Sequence, residues 1–117
     1  MKHIFRVMLA LMLLVFPAGT MFSSSLGVGS QSCPTAGAKQ LSTTNTPAIW
    51  INIQALSGNS GTIWYGGSAV TTSKGSYLFP AGTGYISSGS QNAGLNLSAT
   101  YIACTNSGDS VTYTYLQ

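Results

Sequence analysis

A chain of 117 residues has room for one domain, and only 4% of it is charged, against about 25% in an ordinary soluble domain. The charged side chains are Lys2, Arg6, Lys39, Lys74 and Asp109, so the pI of about 9.1 describes a slightly basic start ahead of a nearly uncharged body. That balance disfavours nucleic-acid binding, which needs many Lys and Arg side chains against phosphates. It also leaves the body with one carboxylate, Asp109, and no histidine, since His3 lies near the start.

Residues 1–22 read as a basic start at Lys2 and Arg6, an unbroken apolar run from Val7 to Phe16, then Pro17 and small residues. This is the layout of a secretory signal peptide. A spanning helix wants about 20 apolar residues, and Pro17 and Gly19 cut this run short. We take residues 1–25 as a signal peptide or a membrane-anchor-like apolar helix. The segment 26–37, rich in Ser and Gly and containing Pro34, reads as a flexible linker ahead of a body spanning 38–117.

The body reads as short strands. Lys39–Thr43 is a weak first one. Ile49, Ile51, Ile53 and Ala55 alternate at period two before the Ser57-Gly58-Asn59-Ser60 cluster, and Thr62–Tyr65 follows, which reads as a half-buried hairpin. Its core face carries Ile49, Ile51, Ile53, Ile63 and Tyr65, turning Trp50 and Trp64 outward. Val70–Thr72 is a candidate rung, Tyr77–Phe79 stops at Pro80-Ala81-Gly82, and Tyr85–Ser87 precedes a polar loop, Ser88–Gly94. Leu95–Ala99, Thr100–Thr105 and Ser110–Leu116 complete the set, the last with Val111, Tyr113 and Tyr115 on its inward face. The spacing predicts an all-β fold: a small antiparallel β-sandwich or jelly-roll-like domain of seven or eight short strands behind an N-terminal apolar helix.

The chemistry is sparse. A Ser-His-Asp triad, a paired-carboxylate glycosidase and a histidine metal site all need residues the body lacks, so no catalytic, cofactor-binding or metal-binding residues are assigned, and no cofactor. A Ser-Lys dyad on Lys39 or Lys74 is disfavoured because both lysines lie in polar turn or edge segments. Asp109 reads as a shaper of its own Ser-Gly-Asp turn. Cys33 and Cys104 are a candidate disulfide in an exported chain, or two thiols in a chain assembled in reducing cytoplasm. Trp50 and Trp64 are candidate contact residues, for sugar rings or for a neighbouring subunit; filling a second sandwich face is the alternative. Asn96-Leu97-Ser98 matches a glycosylation acceptor but falls on an expected strand.

With these segments laid out, the body resembles a small β domain encoded by many bacteriophages and found in virion structural proteins. The matching residues are Ile53-Gln54-Ala55-Leu56 with Asn59 and Gly61, then Ile63 to Thr71 through Gly66-Gly67-Ser68. They continue with Gly75, Leu78, Pro80 and Gly82, then Tyr101-Ile102-Ala103, Ser107 to Val111, and Tyr115-Leu116. Two features depart from that pattern: Phe79-Pro80-Ala81-Gly82 is one residue longer than its usual Pro-Gly turn, and most such proteins lack the apolar leader. The resemblance implies a non-enzymatic virion component that decorates, cements or caps a capsid, vertex or tail. Its partners would be other virion proteins or copies of itself. An exported adhesin or carbohydrate-binding module that meets a cell-surface glycan through exposed aromatics is the alternative. A third reading keeps residues 4–22 in contact with a membrane. The implied location is the virion, or else secreted or membrane-anchored through the leader.

Overall fold

Alternating apolar positions in this chain can be buried only by closing one sheet on another, and that is the arrangement adopted. A computed structural model describes residues 24–87 and 94–117. They form eight strands: β1 (Leu26–Ser32), β2 (Ala38–Gln40), β3 (Trp50–Ala55), β4 (Ile63–Gly66), β5 (Ser76–Leu78), β6 (Thr83–Ser87), β7 (Tyr101–Cys104) and β8 (Ser110–Leu116). One sheet has the order β1-β8-β3-β6 and the other β2-β7-β4-β5. Every pairing is antiparallel, and β1 with β8, β2 with β7, β3 with β6 and β4 with β5 are all neighbours. First with last, second with second-last, and so inward, is the winding of a jelly roll. The all-β sandwich expected from the strand spacing is therefore present. The apolar helix expected ahead of it, and most of the signal or anchor segment 1–25, lie outside the described residues, as do positions 88–93 of the polar loop.

Ile51, Ile53, Ala55, Ile63, Leu78, Leu97, Ile102 and Val111 meet between the sheets, all essentially buried. Val111, Tyr113 and Tyr115 do face inward, and Tyr65 packs against the same core. Burying a side chain of this size stabilises by roughly 1.5–3 kcal/mol, so these few aliphatic residues supply most of the adhesion between the sheets.

Several expected elements differ in the structure. The hairpin expected of Ile49–Leu56 and Thr62–Tyr65 is an arch: β3 lies in one sheet and β4 in the other. Alternation fixes which residues face inward but not which sheet a strand joins, and the connection here is too long for a tight two-residue turn. The candidate rung at Val70–Thr72 is a turn of its own, closed by paired backbone bonds between Thr71 and Lys74. Leu95–Ala99, expected as a strand, contains a 3-10 turn at Leu97–Ala99 capped by the Asn96 side chain, which accepts from the Ser98 N–H. Asn and Ser compete for backbone bonds in this way wherever a strand ladder is not enforced.

The largest correction concerns the segment 26–37, expected as a linker. Leu26–Ser32 is instead a seven-residue strand in register with β8 from Leu26 opposite Leu116 to Ser32 opposite Ser110. Its inward positions are Gly27, Gly29 and Gln31, and the space left by the missing side chains of the two glycines is taken by the partner strand. A Cβ on Gly27 would sit 2.1 Å from the Tyr115 ring, and one on Gly29 would sit 2.4 Å from the Tyr113 ring. The two rings lie across the edge glycines and give this strand the apolar cover that its own sequence lacks.

Candidate functional site

The polar chemistry of the body gathers at one end of the sandwich, where the β3–β4 loop meets the β7–β8 loop. Asp109 is only 4% exposed. Its Oδ1 accepts from the Ser60 backbone N–H at 2.8 Å and from the Ser60 hydroxyl at 3.3 Å, and its Oδ2 accepts from the Gly61 N–H at 2.8 Å. The carboxylate therefore holds the opposite loop rather than its own Ser-Gly-Asp turn. A buried carboxylate is costly unless its lone pairs are used, and successive backbone N–H groups use them here.

Asn59 completes the clasp in both directions. Its amide donates to the Ser110 carbonyl at 2.8 Å, and its side-chain oxygen accepts from the Ser110 N–H at 3.0 Å. Thr105 does the same for Thr62: its hydroxyl accepts from the Thr62 N–H at 2.9 Å and donates to the Thr62 carbonyl at 3.2 Å. Gly61 is required by this close approach, since a Cβ there would lie 2.1 Å from the Thr105 hydroxyl. Sequence reading placed Asn59 in a Ser-Gly-Asn-Ser break and Asp109 in its own Ser-Gly-Asp turn, and met Gly61 only within the resemblance to the phage domain. It missed that they contact one another, because their spacing along the chain carries no such signal.

Cys33 and Cys104 are joined in a disulfide with their α-carbons 5.8 Å apart. Cys33 follows β1 in one sheet and Cys104 ends β7 in the other, so the bond crosses the sandwich beside the clasp. The Cys33 N–H donates to the Asp109 carbonyl at 2.9 Å, which ties the two features together.

Trp50 and Trp64 are both turned away from the core, but they do not form one surface. Trp50 lies on the outer face of the β1-β8-β3-β6 sheet beside Tyr85, with ring centroids 6.1 Å apart. Trp64 lies on the outer face of the other sheet, 5.1 Å from Tyr77, which in turn meets Phe79 at 5.4 Å. The planes of the second cluster are tilted by 52° and 75°, so its rings make a ridged apolar patch rather than a flat platform. Tyr77, Phe79 and Tyr85 are exposed, and so are Leu26 at 66% and Val28 at 75%. Exposed apolar groups that lie together, as Tyr77 and Phe79 do beside Trp64, mark contact surfaces more often than scattered ones do.

Among the described residues there is no group of three or more His, Cys, Asp or Glu side chains that could hold a metal ion. No helix among them is long and apolar enough to cross a membrane. Lys39 is exposed on β2 and Lys74 in the β4–β5 loop. The amide of Asn96, in the candidate glycosylation sequence, is committed internally: its oxygen accepts from Thr46 and Ser98 and its nitrogen donates to Asn45.

No model of a known protein family matches the chain, and no curated protein and no solved structure matches it either. The geometry defines a class: a disulfide-stapled β-sandwich of jelly-roll winding. The buried Asp109 and Asn59 side chains hold loops together, and its outer faces carry exposed aromatic and aliphatic side chains.

Proposed function

We propose that the protein is a non-enzymatic structural component of a phage particle, one that decorates, cements or caps a capsid, vertex or tail through protein–protein contacts. The observation that carries this reading is the set of exposed apolar side chains on the outer faces of both sheets: Leu26, Val28 and Tyr85 on one, Tyr77 and Phe79 on the other. Such side chains suit lasting contact with protein neighbours, and a body with so little charge suits residence in an assembly better than free solution. The use of Asp109 as a loop clasp supports the absence of catalysis, since it occupies the body's one carboxylate.

Mass spectrometry of purified virions tests the reading. Peptides from the body, in stoichiometric amounts with other coat proteins, are expected; their absence from the particles overturns it.

A second reading, an exported surface or carbohydrate-binding module, draws on the inter-sheet disulfide, because such bonds persist in oxidising compartments. On that reading the Trp64, Tyr77 and Phe79 patch is the contact surface. Glycan-array binding that disappears in Trp64→Ala would favour it over the first.

A further inference from the structure

Among the described residues the sandwich has four edge strands, β1, β2, β5 and β6, and they are not equally protected. β2 and β5 are three residues each; β2 carries exposed Lys39, and Lys74 lies two residues ahead of β5. Short length and lysine are two of the devices that keep sheet edges from pairing with other chains. β6 is five residues long and carries no charge. β1 is the longest of the four at seven residues, without a charge, a proline or a bulge, and it is in continuous register with β8.

Which of its backbone groups point away from β8 follows from the ladder. In an antiparallel pair, alternate residues bond across to the partner strand while those between them point away. The Gln117 N–H donates to the Ser25 carbonyl, and the Cys33 N–H donates to the Asp109 carbonyl. Residues 25, 27, 29, 31 and 33 therefore face β8. Leu26, Val28, Ser30 and Ser32 direct their N–H and C=O groups to the side on which no other described strand pairs, where the Ser32 carbonyl also accepts from the Gln31 side-chain amide at 3.1 Å.

We infer that β1 pairs antiparallel with β1 of a second copy about a twofold axis at Gly29, joining the two β1-β8-β3-β6 sheets into one. This rests on the reading of the protein as an assembly component, and it names the edge and the occupant. The occupant is a second copy because the strand, LGVGSQS, is complementary in size to its own reverse. In this register Leu26 faces Ser32, Gly27 faces Gln31, Val28 faces Ser30 and Gly29 meets its own mate. A large side chain meets a small one at every pair off the axis, and no charge opposes the approach. The two Val28 side chains become diagonal neighbours across the axis, where cross-strand contacts contribute to sheet stability. Such an interface is isologous and closes on itself as a dimer.

The test uses the full-length protein as recovered from its source, with sedimentation equilibrium and amide hydrogen exchange read on the same samples. A dimer is expected in which the Leu26, Val28, Ser30 and Ser32 amides exchange at least about tenfold more slowly than after dilution to monomer. Val28→Lys places a charge on each side of the axis, at a site whose side chain contributes little to the monomer. It should give a monomer whose four edge amides lose that protection while the β3–β8 ladder keeps its own. Ser30→Pro removes an outward N–H and should act in the same direction. A monomeric wild type, a dimer that survives both substitutions, edge protection that persists unchanged in the monomer, or protection that requires a different co-purifying chain would each overturn the inference. A monomer found in virions would overturn it and leave the proposed function standing; a β1-paired dimer absent from virions would do the reverse.

Discussion

Cys33 and Cys104 are bonded across the sandwich, one at the end of an edge strand in the first sheet and the other at the end of an inner strand in the second. The bond closes a loop with a sequence separation of 71 residues. In the chain-entropy account, constraining the unfolded chain over that span stabilises the fold by roughly 4 kcal/mol. For a body this small that is a large share of the total, since a domain is stable by only about 5–15 kcal/mol. Urea unfolding of the protein with both cysteines replaced by serine should show a midpoint far below that of the oxidised wild type, with reduced wild type close to the variant. Coincident curves for oxidised and reduced protein would mean that the bond adds nothing.

The Asp109 clasp makes a second, independent prediction. Asp109→Asn keeps the shape but turns one of its two acceptors into a donor, which then faces the N–H of Ser60 or Gly61. Leaving one buried N–H unsatisfied costs about 1–3 kcal/mol, and Asp109→Ala, which leaves both, should cost more. Denaturant titration of the two variants checks the order. Equal stability of Asp109→Asn and wild type would show that the carboxylate is not what holds the loop.

How much of this was readable in the sequence depends on where each element's partner lies. β3 and β8 announce themselves because Ile51, Ile53 and Val111, Tyr113 alternate with polar residues along their own strands. β1 does not, because its inward positions are Gly27, Gly29 and the polar Gln31, and the apolar cover over the glycines is supplied by Tyr113 and Tyr115 from the far end of the chain. Its composition alone is that of a linker. The arch between β3 and β4 is hidden for a related reason: strand periodicity is the same whether the next strand pairs alongside or crosses to the opposite sheet. The clasp was legible only in parts. Asn59, Gly61 and Asp109 are turn-forming residue types, but their meeting is a consequence of the jelly-roll winding. That same winding separates Trp50 from Trp64, which adjacent strands of one hairpin would have kept on a common face.

The turn after β5 shows a residue working against its preference. The Gly82 N–H donates to the Phe79 carbonyl at 2.8 Å, and Ala81 at the third position has φ of +64°. Proline second and a positive φ third define a type II turn, which favours glycine where Ala81 stands. The backbone gives the positive φ to Ala81 and not to the glycine that follows it. An L-residue in the left-handed region costs about 1–2 kcal/mol, partly offset by the greater unfolded-state freedom of glycine. Ala81→Gly should therefore leave stability unchanged or raise it by up to about 1 kcal/mol, read from the midpoint of thermal or urea unfolding. A clear loss would show that the Ala81 methyl makes a contact worth more than the backbone strain.

Tyr113 carries the last prediction, which concerns alkaline pH. Its hydroxyl donates to the Leu41 carbonyl at 3.0 Å, joining β8 to the chain just beyond β2 in the facing sheet. Burial, with a smaller contribution from neighbouring Tyr115, raises its pKa above the ordinary tyrosine value of 10.0. The folded state thus holds the phenol neutral at a pH where the unfolded chain would begin to ionise it. The resulting stability is fully present below about pH 10 and is lost as pH climbs through the raised folded value. Tyr113→Phe should lower stability near neutrality by about 1 kcal/mol, since the Leu41 carbonyl loses its donor. It should also flatten the decline above about pH 10, because one ionisation linked to unfolding has been removed. Urea titrations in steps from neutral to strongly alkaline pH, with phenolate absorbance followed in parallel, measure both effects. Equal alkaline slopes in the two proteins would mean that this phenol is not the group the fold protects from ionisation.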